Sequence, residues 1–373
     1  MLKLFNTRNI SLLIFIFINI AFCIRYAIRV SYSLAIVATL IYILISCGII
    51  IIYSTKKSLS LKWIFSLGTL WISGCIVLLH LIPLETIRVD RVEMIELFWN
   101  AASEGEYPYN PRGSFNGNHP GPMPIYFILC YPFYLIKQYA LIPILSLVGW
   151  VYYTYRTNKD NTSLLFLLII TSPACYWEIV CRSTIIFNAL IFILWYRYLM
   201  NFNSFSTKSS IISAIIGGIV LSTRSIFAIP IIAFGIYAIK NNNISKVLIW
   251  GVTLFLSFIA THLPLLFYGI DNVMNLNPIW LQSNFFIPTE YMIICVLLLM
   301  VAAFFCNSFK QISFVSGIFL FGISLAYIIR YICYTSISHS ITHGCDISYL
   351  LFSVPFLFLF LNNHNTPCST IKS

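Results

Sequence analysis

Charge is what this chain has least of. Only 9% of its 373 residues are Asp, Glu, Lys or Arg, while 60% are hydrophobic. Soluble domains are roughly 25% charged, so this composition excludes an ordinary water-exposed surface. Acid is scarcer still: 11 carboxylates stand against 22 Lys and Arg, a formal net charge of +11. In a soluble chain that excess would point to nucleic acid. Here the basic residues flank apolar runs, where they orient membrane spans, and no nucleic-acid partner is expected. The 11 cysteines are scattered, without a close pair of metal-knuckle or redox spacing. They read as small buried hydrophobes. No Gly-rich nucleotide fingerprint, P-loop, serine elbow or zinc-protease helix occurs.

What is present is a succession of apolar runs long enough to cross a bilayer. They cover residues 10–28, 32–54, 61–82, 124–154, 162–177, 185–200, 210–223, 226–240, 247–268, 290–306, 312–332 and 346–361. This predicts an all-α polytopic membrane protein of about 12 helices (11–13). Ile10–Cys23 resembles the apolar part of a signal peptide, but no small-residue cleavage pattern precedes Cys23 and further spans follow, so it counts as a span. Segments 210–223 and 226–240 are separated only by Arg224 and Ser225 and read as a tight hairpin or a partly re-entrant pair. Segment 124–154 is long for one crossing and short for two. Lys137 and Gln138 sit in its middle, between Pro132 and Pro143, and predict a broken or tilted element that crosses once.

Charge tests this topology. With the N-terminus inside, ten lysines fall inside together with Arg8, Arg156 and Arg197. Eight arginines fall outside: Arg25, Arg29, Arg88, Arg91, Arg112, Arg182, Arg224 and Arg330. The bias supports N-in and C-in; a double crossing of 124–154 would destroy it. Six of the eleven acids, Glu85, Asp90, Glu93, Glu96, Glu104 and Glu106, lie in the first outer loop, residues 83–123. Glu178, Asp271, Glu290 and Asp346 also fall at outer ends, and only Asp160 is inside. A second outer loop covers 267–289. The reading is one transmembrane domain, 1–365, with a short polar tail, 366–373, in a bacterial inner membrane, its site facing out.

Within the first loop, Val89, Val92, Ile95 and Trp99 recur at helical spacing and predict an amphipathic helix at the membrane surface. Asp90 and Glu93 are one turn apart and can face one volume. Two such carboxylates suit a catalytic pair, one acting as base. They equally suit a solvated interfacial helix, with Arg88 and Arg91 neutralising them. Arg25 and Arg29, also one turn apart, are expected to face lipid headgroups.

The order of these features resembles a family. Asp90 in an amphipathic first-loop helix is followed by "AASEGEYPY" (101–109), "HPGPMPIYFILCYP" (119–132), "SPACYWEIVCRST" (172–184), "LSTRSIFAIP" (221–230), "NPIWLQSNFFIP" (277–288) and "THGCDISYLLFSVPF" (342–356). This is similar to the GT-C superfamily of multi-span glycosyltransferases that use polyprenyl-phosphate sugars. Bacterial mannosyltransferase-like proteins and the aminoarabinose and protein-mannosyl transferases belong there. The chain departs from the family's pair of adjacent acids: Asp90 is followed by Arg91, and the next acid is Glu93. Only about a dozen residues follow the last span, so the family's soluble C-terminal domain is not expected.

The resemblance implies inverting transfer of a hexosyl or pentosyl unit from a polyprenyl-phosphate donor to a lipid-linked glycan, glycolipid or protein. Asp90, with Glu93, would be catalytic. Arg182 and Arg224 are the first candidates for the leaving phosphate, because the guanidinium fork matches its oxygens; Arg88, Arg330 and His343 come second. His119, Tyr109, Gln282, Asp346 and Tyr349 are candidate donor- or sugar-binding residues, with Asn284 beside them. Each has a plainer alternative. Arg182 stands four residues from Glu178, Arg224 can snorkel, His119 can orient the loop, and Asp346 and Gln282 can serve packing. A divalent Mg or Mn ion on Asp90, Glu93 and His119 is open, though no spacing compels it. Two other functions compete: a lipid-linked polysaccharide polymerase, which would place its large loop in the later half, and a transporter or flippase.

Overall fold

The computed structural model describes residues 6–54, 59–87, 89–114, 117–283, 287–342 and 345–359. Among the described residues the chain is helical throughout, without a strand. It begins with three long apolar helices, α1 (Thr7–Ala27), α2 (Tyr32–Ser54) and α3 (Leu61–Leu81). Then come α4 (Arg91–Ser103), α5 (Pro124–Ile136), α6 (Leu141–Thr157), α7 (Lys159–Ile170), α8 (Pro173–Val180) and α9 (Ile185–Tyr198). α10 (Thr207–Leu221), α11 (Ala228–Asn241) and α12 (Ile244–Ala260) precede two one-turn helices, α13 (Ile270–Asn275) and α14 (Pro278–Ser283). The chain continues through α15 (Thr289–Phe304), α16 (Phe309–Tyr334), α17 (Ile337–Thr342), a 3-10 stretch Ile347–Ser353 and α18 (Val354–Leu357).

Six of these elements are long and apolar enough to cross a membrane; two sharply bent pairs would make eight, and four shorter apolar helices accompany them. Each of the twelve expected segments falls on one of these elements, but by length alone only six to eight qualify as spans. The remainder are too short for a ~30 Å hydrocarbon core.

In such a medium every polar group must find a partner within the protein. Serines and threonines bond back to the carbonyl one turn earlier: Ser146 to Ile142 O at 2.6 Å, Ser313 to Phe309 O at 2.9 Å and Ser316 to Ile312 O at 2.8 Å. Helix starts are capped by Asn6, Ser172, Ser206, Asn243 and Ser308. α10 and α12 approach closely at Gly218, where an added Cβ would lie 2.6 Å from the Phe258 nitrogen and 2.7 Å from Ser257 Cβ. Only glycine fits there.

Segment 124–154 is broken, at a point that changes its meaning. The axes of α5 and α6 differ by 116°. Lys137, in the left-handed region at φ 53°, makes the turn. α5 lies along α4 instead of continuing α6: Trp99 Nε1 donates to Phe127 O at 3.1 Å, and Phe98 stacks on Phe127 with ring centroids 3.8 Å apart. Lys137 and Tyr139 both meet Glu96 of α4, at 3.3 and 2.9 Å. Only α6 runs away from this layer, and Lys137 belongs with the acids.

A second hydrophobic core, separate from that of the bundle, therefore forms at one end. Val92, Ile95 and Phe98 of α4 pack with Tyr107, Tyr109, Tyr126, Phe127 and Leu265. The two expected loops are one structure: Tyr107 OH donates to Leu276 O at 2.8 Å, and its ring meets Tyr268. We call this layer the cap.

Candidate functional site

The site lies where the cap meets the bundle, and its centre is Arg91. The predicted apolar face of α4 is buried, with Val92 3% and Ile95 0% exposed. That seats the helix and directs its first residue, Arg91, toward the bundle. Its guanidinium bridges two carboxylates from distant segments, Glu178 Oε1 on α8 at 3.0 Å and Asp346 Oδ2 at 2.7 Å. Glu178 reaches it because the α7–α8 axis bends by 62°. Asn19 of α1 holds that bend: its Oδ1 accepts from Ser172 Oγ at 2.6 Å and Ala174 N at 3.1 Å. Asp346 also accepts from Ser348 N at 3.0 Å, capping the 3-10 stretch.

Around this cluster the structure gathers four of the expected residues. Tyr349 is within electrostatic reach of Asp346, Arg224, Arg91 and Asp90. Asp90 precedes α4, makes no side-chain cap bond to it, and accepts from Asn118 Nδ2 at 3.3 Å. Glu93 stands one turn along, part-exposed. Arg224 lies over the Tyr126 ring at 5.1 Å, and its buried Nε has no hydrogen-bond partner. Tyr126 itself receives a bond from Thr184 Oγ1 at 3.0 Å.

Other expectations are corrected. Arg182, at φ 51°, turns away to the carbonyls of Val180 and Ile82. Its supposed partner Glu178 is taken by Arg91. His119 is a loop strut: Arg112 Nε donates to its Nε2 at 2.6 Å, so its Nδ1 donates to Tyr109 O at 2.9 Å. Both ring nitrogens are occupied, which removes it as a sugar or metal ligand. Among the described residues no three His, Cys, Asp or Glu gather as a metal site, so the Asp90–Glu93–His119 set is not formed. Tyr109 is fully buried and donates to Pro122 O at 2.9 Å, which makes it cap core. Gln282 serves the site indirectly. Its Oε1 accepts from Ser225 N at 2.7 Å, next to Arg224, while its buried Nε2 has no partner. Arg25 does not face lipid: it is 8% exposed and donates to Ser340 O at 2.8 Å. Arg330 lies over Tyr334 at 5.7 Å. Arg88, Asn284 and His343 lie outside the described residues.

Arg91 was overlooked as a hub because its neighbours in sequence, Asp90 and Glu93, offered nearer partners. The signal was in the acids. Glu178 and Asp346 sit in or beside apolar runs, and an unpaired carboxylate there costs several kcal/mol (roughly). Two such acids require a shared cation from elsewhere. No protein-family model matches this chain, and no curated protein or solved structure matches it either.

Proposed function

We propose that this chain is a membrane glycosyltransferase with a GT-C-like bundle of about 12 membrane segments. It transfers a sugar from a polyprenyl-phosphate donor to a lipid-linked glycan, glycolipid or protein acceptor on the outer face of a bacterial inner membrane. The observation that supports this is that Asp90 and Arg224 both lie within electrostatic reach of Tyr349, beside the Arg91 cluster. Asp90 takes the proton of the acceptor hydroxyl as its oxygen bonds to the anomeric carbon. The carbon–oxygen bond to the donor phosphate breaks, and its electron pair leaves with the phosphate. Arg224 faces the resulting charge, and the unpartnered Nε2 of Gln282 is a second donor beside it. The test is transfer of labelled sugar by purified protein in lipid across a panel of polyprenyl-phosphate sugars, with D90N alongside. Turnover by the wild type that is lost in D90N supports the reading; wild-type turnover by well-folded D90N removes Asp90 as base.

The Arg91–Glu178–Asp346 cluster, closed around the buried Glu178, favours a second reading, a transporter or flippase, since charged groups enclosed by a membrane bundle mark translocation paths. Substrate movement in liposomes that persists in D90N would select it.

A further inference from the structure

From the edge of the cap into the bundle, α6 and α9 border a slot of about 270 Å³, lined also by Pro355. Its walls are almost wholly apolar, and Leu145 and Leu194 at its edges are 55% and 48% exposed, so it opens sideways onto the apolar surface. Gly149 lines it, and a Cβ there would meet nothing within 4 Å, so a larger side chain has room to enter. The slot runs along α6 from Ile142 to Tyr153. That distance is about 16 Å at the helical rise, or half of a ~30 Å hydrocarbon core.

The two ends differ. The cap end is lined by the rings of Phe133 and Phe187, 6.5 Å apart and edge to face. The other end carries Arg197, held over Tyr153 at 5.0 Å. Arg156 and Lys159 follow on the same side of the molecule. Arg197 lies near the end of α9, about 20 Å along the helix from Thr184 and the site. An apolar slot left empty forfeits contacts along its whole lining. In a membrane, lipid chains fill such a slot.

We infer that this slot binds one acyl chain of an anionic glycerophospholipid from the leaflet on the far side from the cap, with its phosphate at Arg197. The length matches one leaflet. A guanidinium selects a phosphate over a headgroup of no net charge. The charged far end argues against the tail of a lipid whose phosphate sits at Arg224. The inference stands independently of the transferase reading.

The test is native mass spectrometry of the full chain, purified from nanodiscs holding phosphatidylglycerol and phosphatidylcholine of identical acyl chains. The wild type is expected to retain one phosphatidylglycerol. Gly149→Leu, whose side chain enters the slot, should cut retention by about tenfold or more, the scale of one well-buried apolar side chain. Arg197→Gln should keep a lipid but lower the preference for phosphatidylglycerol about fivefold. Gly149→Leu retaining lipid like the wild type overturns the inference. So does a wild type without preference between the two lipids, or polyprenyl phosphate displacing the phospholipid one for one. Should Gly149→Leu not fold, Arg197→Gln decides: an unchanged preference overturns the inference.

Discussion

The bundle and the cap are held together by different means. In the bundle, many serines bond to their own helix one turn back, as at Ser146 and Ser313, and helices meet through glycine, aliphatic side chains and stacked rings such as Phe192 on Phe227. Cross-helix bonds add to this, as where Trp195 and Trp250 both donate to Ser213. In the cap, the polar tips of rings are the ties between segments, Trp99 to Phe127 O and Tyr107 to Leu276 O. The cap therefore depends on contacts that form only when distant segments have already met. The candidate chemistry lies at the junction, where one charged residue of the cap enters the bundle.

The largest expected effect separates chemistry from scaffold. D90N should lower sugar transfer by about 10²–10⁴-fold, the usual weight of a general base, with an unchanged melting temperature in detergent. Loss of folding together with turnover would make Asp90 part of the scaffold and erase the distinction.

R91M comes next. It leaves the fully buried Glu178 without its cation, while Asp346 is 29% exposed; removing one partner of a buried pair costs about 3–5 kcal/mol. Thermal unfolding should register it, and adding E178Q and D346N to R91M should restore part of the loss. Unfolding curves of R91M that match the wild type would show that the cap is not anchored there.

Much of the bundle was legible in the sequence because apolar runs and basic flanks are local signals. The positions of the twelve segments follow from them; the number that actually cross does not, since several are short and two are bent. The break at Lys137 was foreseen from the polar pair between two prolines. That α5 then lies on α4 was not, because it depends on Glu96 meeting Lys137 and Tyr139, 41 and 43 residues later. The site divides in the same way. Asp90, Arg224, Asp346 and Tyr349 were named from position and residue type. Arg182, His119 and Tyr109 were misplaced because residue type cannot tell a ligand-facing donor from one already committed to a carbonyl.

Bundle packing offers a paired test. G218A forces α10 and α12 apart, since the new methyl would overlap Leu254 O and the Phe258 nitrogen. About 1–3 kcal/mol should be lost. G235A, on α11, meets nothing within 4 Å. It should instead gain about 0.4–1 kcal/mol from the narrower unfolded ensemble. Equal effects in melting experiments would mean that close approach at Gly218 does not set the bundle's spacing.

The smallest predicted effect probes the cap's reliance on long-range bonds. Y109F removes a single hydroxyl, which donates to Pro122 O at 2.9 Å inside a fully buried cluster. The ring stays against Phe98 and Phe127, so the apolar contact is kept. The loss should be about 0.5–1.5 kcal/mol, near the limit of a melting curve. Local opening is the sharper measurement. Pro122 leads into α5, so Y109F should speed hydrogen exchange in the first turns of α5 while leaving α9 and α16 at wild-type rates. Faster exchange spread evenly through the bundle would mean that cap and bundle open as one unit, and the division between them would be geometric only.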